Sequence, residues 1–113
     1  MSGLAALYNV PSTDIELNNW GFAHLANHRD INRVIYQLLK VQLPAYVLDP
    51  INPHDIDTWL YQHQTLHQAM DTVLGISGYD LLDVNWQDPN ERAGWILLNS
   101  DEHRQACNEL GLA

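Results

Sequence analysis

Two histidine pairs, His24/His28 and His63/His67, are each spaced four residues apart. On a helix this spacing places both imidazoles on one face, a turn apart, and helical metal sites use it. Four neutral imidazoles suit zinc, copper or iron. If the two helices pack antiparallel, the pairs meet, with His103 and Glu102 close by on a third helix. Against a metal, no carboxylate stands at Glu-x-x-His spacing on these stripes, whereas helical di-metal sites use bridging carboxylates. The only thiol, Cys107, is distant in sequence from both pairs. The same imidazoles can instead bond to Asn27, Asn99, Gln62, Gln64 or backbone carbonyls, or stack on tryptophans. The expectation is therefore a hydrogen-bonded polar core layer with no cofactor. A metal site at His24, His28, His63 and His67 is the alternative. Buried neutral imidazoles titrate below the unfolded value of ~6.5, so acid should destabilise such a layer.

Other chemistry has little support. Ser12, Ser77 and Ser100 sit in no nucleophile elbow, and no glycine-rich loop is present to cradle a phosphate. Cys107 follows His103 by one helical turn, but a small buried residue near a helix end explains it as well as a thiolate pair does. A catalytic pair among Asp80, Asp83, Asp88 and Glu91 is not needed to explain acids on an acidic surface. No enzyme is expected.

The elements that carry the histidines are legible from apolar periodicity. Trp20, His24, His28, Ile31, Ile35 and Leu38 recur three and four apart, which predicts a helix over about 14–41 started by Ser12, Thr13 or Asp14, or by Asn18 or Asn19. Ile56, Trp59, Leu60, Leu66, Met70, Val73 and Leu74 predict a second helix over about 53–74, with Gly75 as its stop. Asp88-Pro89-Asn90-Glu91 combines a cap, a proline at the first helical position and an acid in the first turn. The third helix should run over about 89–110, burying Ile96, Asn99, His103, Ala106 and Leu110. Between the first two helices, Pro44, Pro50 and Pro53 enforce an extended connector, with Ala45-Tyr46-Val47-Leu48 as a short strand or strap. In the second connector, Leu81, Leu82, Val84 and Trp86 are apolar enough to pack. No internal repeat is read. The fold class is mainly α: a single domain over 1–113, a three-helix bundle with two proline- and aromatic-rich packed connectors.

Composition bounds the partners. Five basic residues against fourteen acidic ones give a net charge of −9, which repels nucleic acid and anionic membranes. No stretch approaches the ~20 apolar residues of a membrane span. The opening MSGLAALYNV lacks the basic region of a signal peptide, and the single cysteine fits a reducing compartment. Four Trp and five Tyr against one Phe favour side chains with an apolar body and a polar tip, suited to protein contacts.

One run of residues carries a resemblance. Trp20-x-Phe22, His28-x-Asp30-Ile31, Leu48-Asp49-Pro50, Trp59-Leu60-x-x-His63-Gln64-x-x-His67-x-x-Met70, Asp80-Leu81, Asp83-Val84, and Trp95 with Glu102-His103 resemble small uncharacterised proteins encoded among the structural genes of tailed bacteriophages. Asn99 departs from the pattern, standing where another histidine is expected. The resemblance implies a role in the virion or its assembly, after synthesis in the host cytoplasm, and assigns no functional residues. The first expectation is thus a non-enzymatic virion protein acting in multiple copies on other virion or assembly proteins. Exposed members of Trp20, Tyr36, Tyr46, Trp59, Tyr61, Tyr79 and Trp86 would be its anchors. The metal-binding bundle is one alternative. An acidic inhibitor of a host nucleic-acid-binding protein is another, resting on net charge alone.

Overall fold

The computed structural model describes residues 4–43, 51 and 55–112. A short 3-10 turn, Leu4–Tyr8, precedes three helices: α1 (Asp14–Leu39), α2 (Ile56–Leu74) and α3 (Pro89–Leu110). No strand occurs among the described residues, and the mainly helical, three-helix expectation holds. The Ala45-Tyr46-Val47-Leu48 strap and the Pro53 start of the second helix lie outside the described residues.

The helix ends follow their local chemistry. Thr13 caps α1, its hydroxyl accepting from the Glu16 amide at 3.1 Å. Asp88 caps α3, accepting from the Asn90 amide at 2.9 Å, with Pro89 in the first turn. Such caps contribute about 1 kcal/mol each. α2 and α3 end at Gly75 and Gly111, both left-handed at φ 67° and 71°, a conformation with no steric penalty only for glycine. α1 ends two residues earlier than periodicity suggests, where Lys40 turns left-handed at φ 58°.

The three helices run in the same direction. Trp20, His24 and His28 of α1 meet Trp95, Asn99 and His103 of α3 in that order. Likewise His24 and His28 meet His63 and His67 of α2 in that order. Antiparallel neighbours, the expectation above, would reverse one of the two orders. The connectors make the parallel arrangement possible. Residues 40–55 and 75–88 reach about 45–55 Å when extended, enough to return along helices of roughly 30–40 Å.

Packing shows both connectors making that return. One apolar cluster sits at the N-terminal ends of the helices and holds Leu7, Trp20, Trp59, Leu60, Trp95 and Ile96 together with Ile51, Leu81 and Trp86 from the connectors. The other sits at the C-terminal ends and holds Ile31, Ile35, Met70, Ala106, Cys107 and Leu110 with Leu43. Of the first connector, Leu43 packs in one cluster and Ile51 in the other. The second passes from Ile76, packed at the C-terminal cluster, to Leu81 and Trp86. It is fastened by Trp95 Nε1 donating to the Leu81 carbonyl at 2.8 Å, the Leu81 amide donating to Gln64 Oε1 at 3.1 Å, and the Tyr79 amide donating to Glu102 Oε2 at 3.3 Å. The 3-10 turn closes the N-terminal end: the Leu7 carbonyl accepts from Trp20 Nε1 and Ser100 Oγ.

Some expected core positions lie outside. Leu38 is 62% exposed and Leu82 43%: Leu38 is in the last turn of α1, beyond the C-terminal cluster, and in the second connector Leu81, not Leu82, enters the N-terminal cluster. Trp20, Trp59 and Trp86 are buried and cannot be surface anchors, because each fills the N-terminal cluster. Tyr36, Tyr61 and Tyr79 are exposed, and Tyr46 lies outside the described residues.

Candidate metal centre

Between the two apolar clusters the bundle is polar. Parallel helices with a four-residue repeat attach side chains in layers about 6 Å apart along the axis, and the rings of successive layers lean together, with centroids 4.6 Å apart for His24–His28 and 4.0 Å for His63–His67. Each layer takes one residue from each helix. The first is Trp20, Trp59 and Trp95, packed edge to face with ring centroids 5.9 Å (Trp20–Trp95) and 5.8 Å (Trp59–Trp95) apart. The second is His24, His63 and Asn99. The third is His28, His67 and His103. The chain thus carries Trp-x3-His-x3-His twice and Trp-x3-Asn-x3-His once. This is an internal repeat, which the sequence reading above did not find because each copy is only nine residues inside a longer, otherwise dissimilar unit.

The imidazoles converge through their Nε2 atoms. In the second layer, His24 and His63 Nε2 are 3.2 Å apart, and Asn99 Oδ1 lies 3.2 Å from the first and 2.9 Å from the second. In the third layer, His67 Nε2 lies 3.0 Å from His28 Nε2 and 3.2 Å from His103 Nε2. Ligand atoms of His24, His28, His63 and His67 all fall within 4.8 Å of one another. The structure therefore brings together all four histidines singled out from sequence and adds His103 and Asn99 to them. Asn99 was read as a hydrogen-bonding core residue and His103 as a neighbour; their place in the layers is set by the parallel packing.

Surrounding groups hold these rings in place. Trp20 stacks on His24 and Trp59 on His63, each at 4.9 Å between centroids. Asn27 directs its amide nitrogen at the Cys107 thiol and its oxygen at His103 Nδ1. Glu102, fully buried, places Oε1 3.1 Å from His67 Nδ1. That contact is off the ideal hydrogen-bond line, yet a nitrogen lone pair in this position would face a carboxylate, so the proton belongs on Nδ1. Asp71, one turn after His67, hydrogen-bonds Glu102 in turn. Burial, then that bond and the Glu102 charge, raise the Asp71 carboxyl to about 8. Beyond this pair lies an open groove of about 450 Å³ lined by Gln64, Asp71, Gly78 and Tyr79 among others.

Electrostatics exclude a protonated cluster at neutral pH. All five rings are at most 2% exposed. Burial first, and for most of them neighbouring imidazoles second, hold His24, His28, His63 and His103 well below the usual histidine range. Burial takes His67 down to about 4. The rings are therefore neutral, and neutral imidazole is the ligand form.

His67 Nδ1 faces Glu102 and His103 Nδ1 faces Asn27. With the ring protons on those two atoms, both Nε2 atoms present lone pairs, 3.2 Å apart. Two facing lone pairs repel, and a cation held between them turns that repulsion into attraction. A carboxylate behind a histidine Nδ1–H is also the arrangement that orients metal-bound imidazoles and raises their basicity. The donor set fits a borderline transition metal. Compared with family models, curated proteins and solved structures, the chain matches none.

Proposed function

We propose that this protein is a metal-binding helical bundle, in which buried imidazoles of His24, His28, His63, His67 and His103 hold one divalent transition-metal ion in the core. The observation that carries this reading is the convergence of ligand atoms from His24, His28, His63 and His67, all buried, within 4.8 Å of one another, with His103 joined to them through His67 at 3.2 Å. The proposed role of the ion is to hold the fold rather than to react. Every ligand lies between apolar clusters and away from solvent, as in closed structural sites. Binding to the folded state alone stabilises it by about 4 kcal/mol at a thousandfold excess over Kd. Elemental analysis of protein purified without a polyhistidine tag tests the reading. The expected result is about one equivalent of iron, cobalt, nickel, copper or zinc per chain, and a lower melting temperature after chelation. A chain that is metal-free as purified, and takes up none of these ions when titrated, would refute it.

A second reading concerns the outer surface. Ile15, Phe22, Leu38 and Tyr61 are 75%, 59%, 62% and 67% exposed, and apolar groups held in water favour a protein partner. This supports the non-enzymatic role in a tailed-phage virion or its assembly that the resemblance implies. A metal-stapled core would suit a small particle component. Mass spectrometry of purified particles checks it: a fixed copy number is the expected result, and absence from the particle removes it.

A further inference from the structure

The two polar layers differ from a four-histidine cage, and the difference predicts the coordination of the ion. Each layer is a triangle of donors with one corner on each helix: His24 Nε2, His63 Nε2 and Asn99 Oδ1 in one, His28, His67 and His103 Nε2 in the other. Five of the six triangle edges, all but His28–His103, run from 2.9 to 3.2 Å. For a tetrahedral zinc site with Zn–N of about 2.0–2.1 Å, donors stand about 3.3–3.4 Å apart. For an octahedral site with bonds of about 2.1–2.2 Å, adjacent donors stand about 3.0–3.1 Å apart and opposite ones about 4.2–4.4 Å. The edges match the octahedron. Ligand atoms of His24 and His63 from one triangle and His28 and His67 from the other lie within 4.8 Å of one another, so donors of both triangles come within reach of a single ion.

We infer that the ion sits on the axis of the parallel bundle, six-coordinate between two facing trios, with His103 and the Asn99 side-chain oxygen as its fifth and sixth ligands. This rests on the metal-binding reading above and names the ion class: divalent iron, cobalt or nickel, which take six nitrogen and oxygen donors, rather than tetrahedral zinc. Asn99 has a second mark of this role. Its Nδ2 is buried with no hydrogen-bond partner among the described residues, so the amide is held with its oxygen on the histidines while its own donor goes unused, an arrangement that needs compensation.

Cobalt(II) added to the metal-free, full-length protein is the test, because its visible spectrum reports geometry directly. Six-coordination gives a weak band, and tetrahedral coordination an intense blue one. The expected result is saturable binding of one equivalent with the weak band. Asn99→Ala and His103→Ala should each weaken cobalt binding by about 10- to 100-fold, and Asn99→His, which completes the second trio with a sixth imidazole, should tighten it. An intense tetrahedral band in the unmutated chain overturns the inference and leaves metal binding standing, and so does unchanged affinity in folded Asn99→Ala and His103→Ala. No cobalt bound overturns this inference, and the metal-binding reading falls with it only if iron, nickel, copper and zinc are refused as well. The unmutated protein's spectrum decides even if the truncations fail to fold.

Discussion

Glu102 is the residue on which the centre's electrostatics turn. Buried and 3.1 Å from His67 Nδ1, its carboxylate balances part of the charge an ion would bring. Glu102→Gln keeps the shape and removes the charge, so metal affinity should fall about 10- to 100-fold, measured by competition with a chelator of known affinity. Asp71 behaves differently. Its folded pKa is raised to about 8 from an ordinary 3.8, so between these values the folded chain holds a proton that the unfolded chain has lost. The contribution of Asp71 to stability therefore falls as pH rises through that window. Asp71→Asn can still donate to Glu102 and carries no such penalty. Urea denaturation at pH 5 and pH 8 should show its stability relative to the unmutated protein increasing with pH.

At the scale of elements, the second connector matters as much as the helices. Gly78 lies so close to the carboxyl pair that a Cβ there would collide with Asp71 Oδ2 and crowd Glu102 Oε1. Gly78→Ala should push the second connector outward, loosen the Tyr79–Glu102 bond and weaken metal binding together with stability. Thermal melts with and without metal separate the two effects. The tryptophan layer is the lid of the centre. Trp59→Ala removes a side chain that is 6% exposed and stacks on His63, and should cost about 3–5 kcal/mol by chemical denaturation. The common direction of the helices is itself checkable. Spin labels at Glu16 and Asp57, both in first turns, should lie within about 20 Å of each other, whereas antiparallel helices of these lengths would separate them by roughly 30 Å.

For the whole molecule, the metal-free fold should be acid-sensitive. The unfolded chain takes up protons on its histidines below about pH 6.5, while the buried rings resist protonation, His67 down to about 4. Stability is therefore fully present above 6.5 and falls as pH drops below it, by up to about 1.4 kcal/mol per pH unit for each ring. Five rings acting together exhaust the 5–15 kcal/mol of an ordinary domain within a unit or two, so the metal-free protein should unfold near pH 5. Metal loading should move that midpoint lower, since protons must first displace the ion. Circular dichroism across an acid titration of both forms measures the shift.

Helix existence, type and most boundaries were written in local patterns: Asp88-Pro89 and Gly111 bracket α3, and four-residue spacing put His24, His28, His63 and His67 inward on their helices. Local pattern also carried the threefold Trp-x3-His/Asn-x3-His motif, legible only by laying the three helices side by side in the same direction. That direction was not local. Connectors of this length allow either sense, and only the packing of Leu43 against one cluster and of Ile51, Leu81 and Trp86 against the other selects the parallel one. Parallel packing then aligns the three copies of the motif, brings His103 and Asn99 to the histidine pairs, and sets Glu102 and Asn27 behind the rings. Whether a buried imidazole is a core residue or a ligand depends on which atoms face its two nitrogens. Those atoms come from other helices, so tertiary structure alone could supply them.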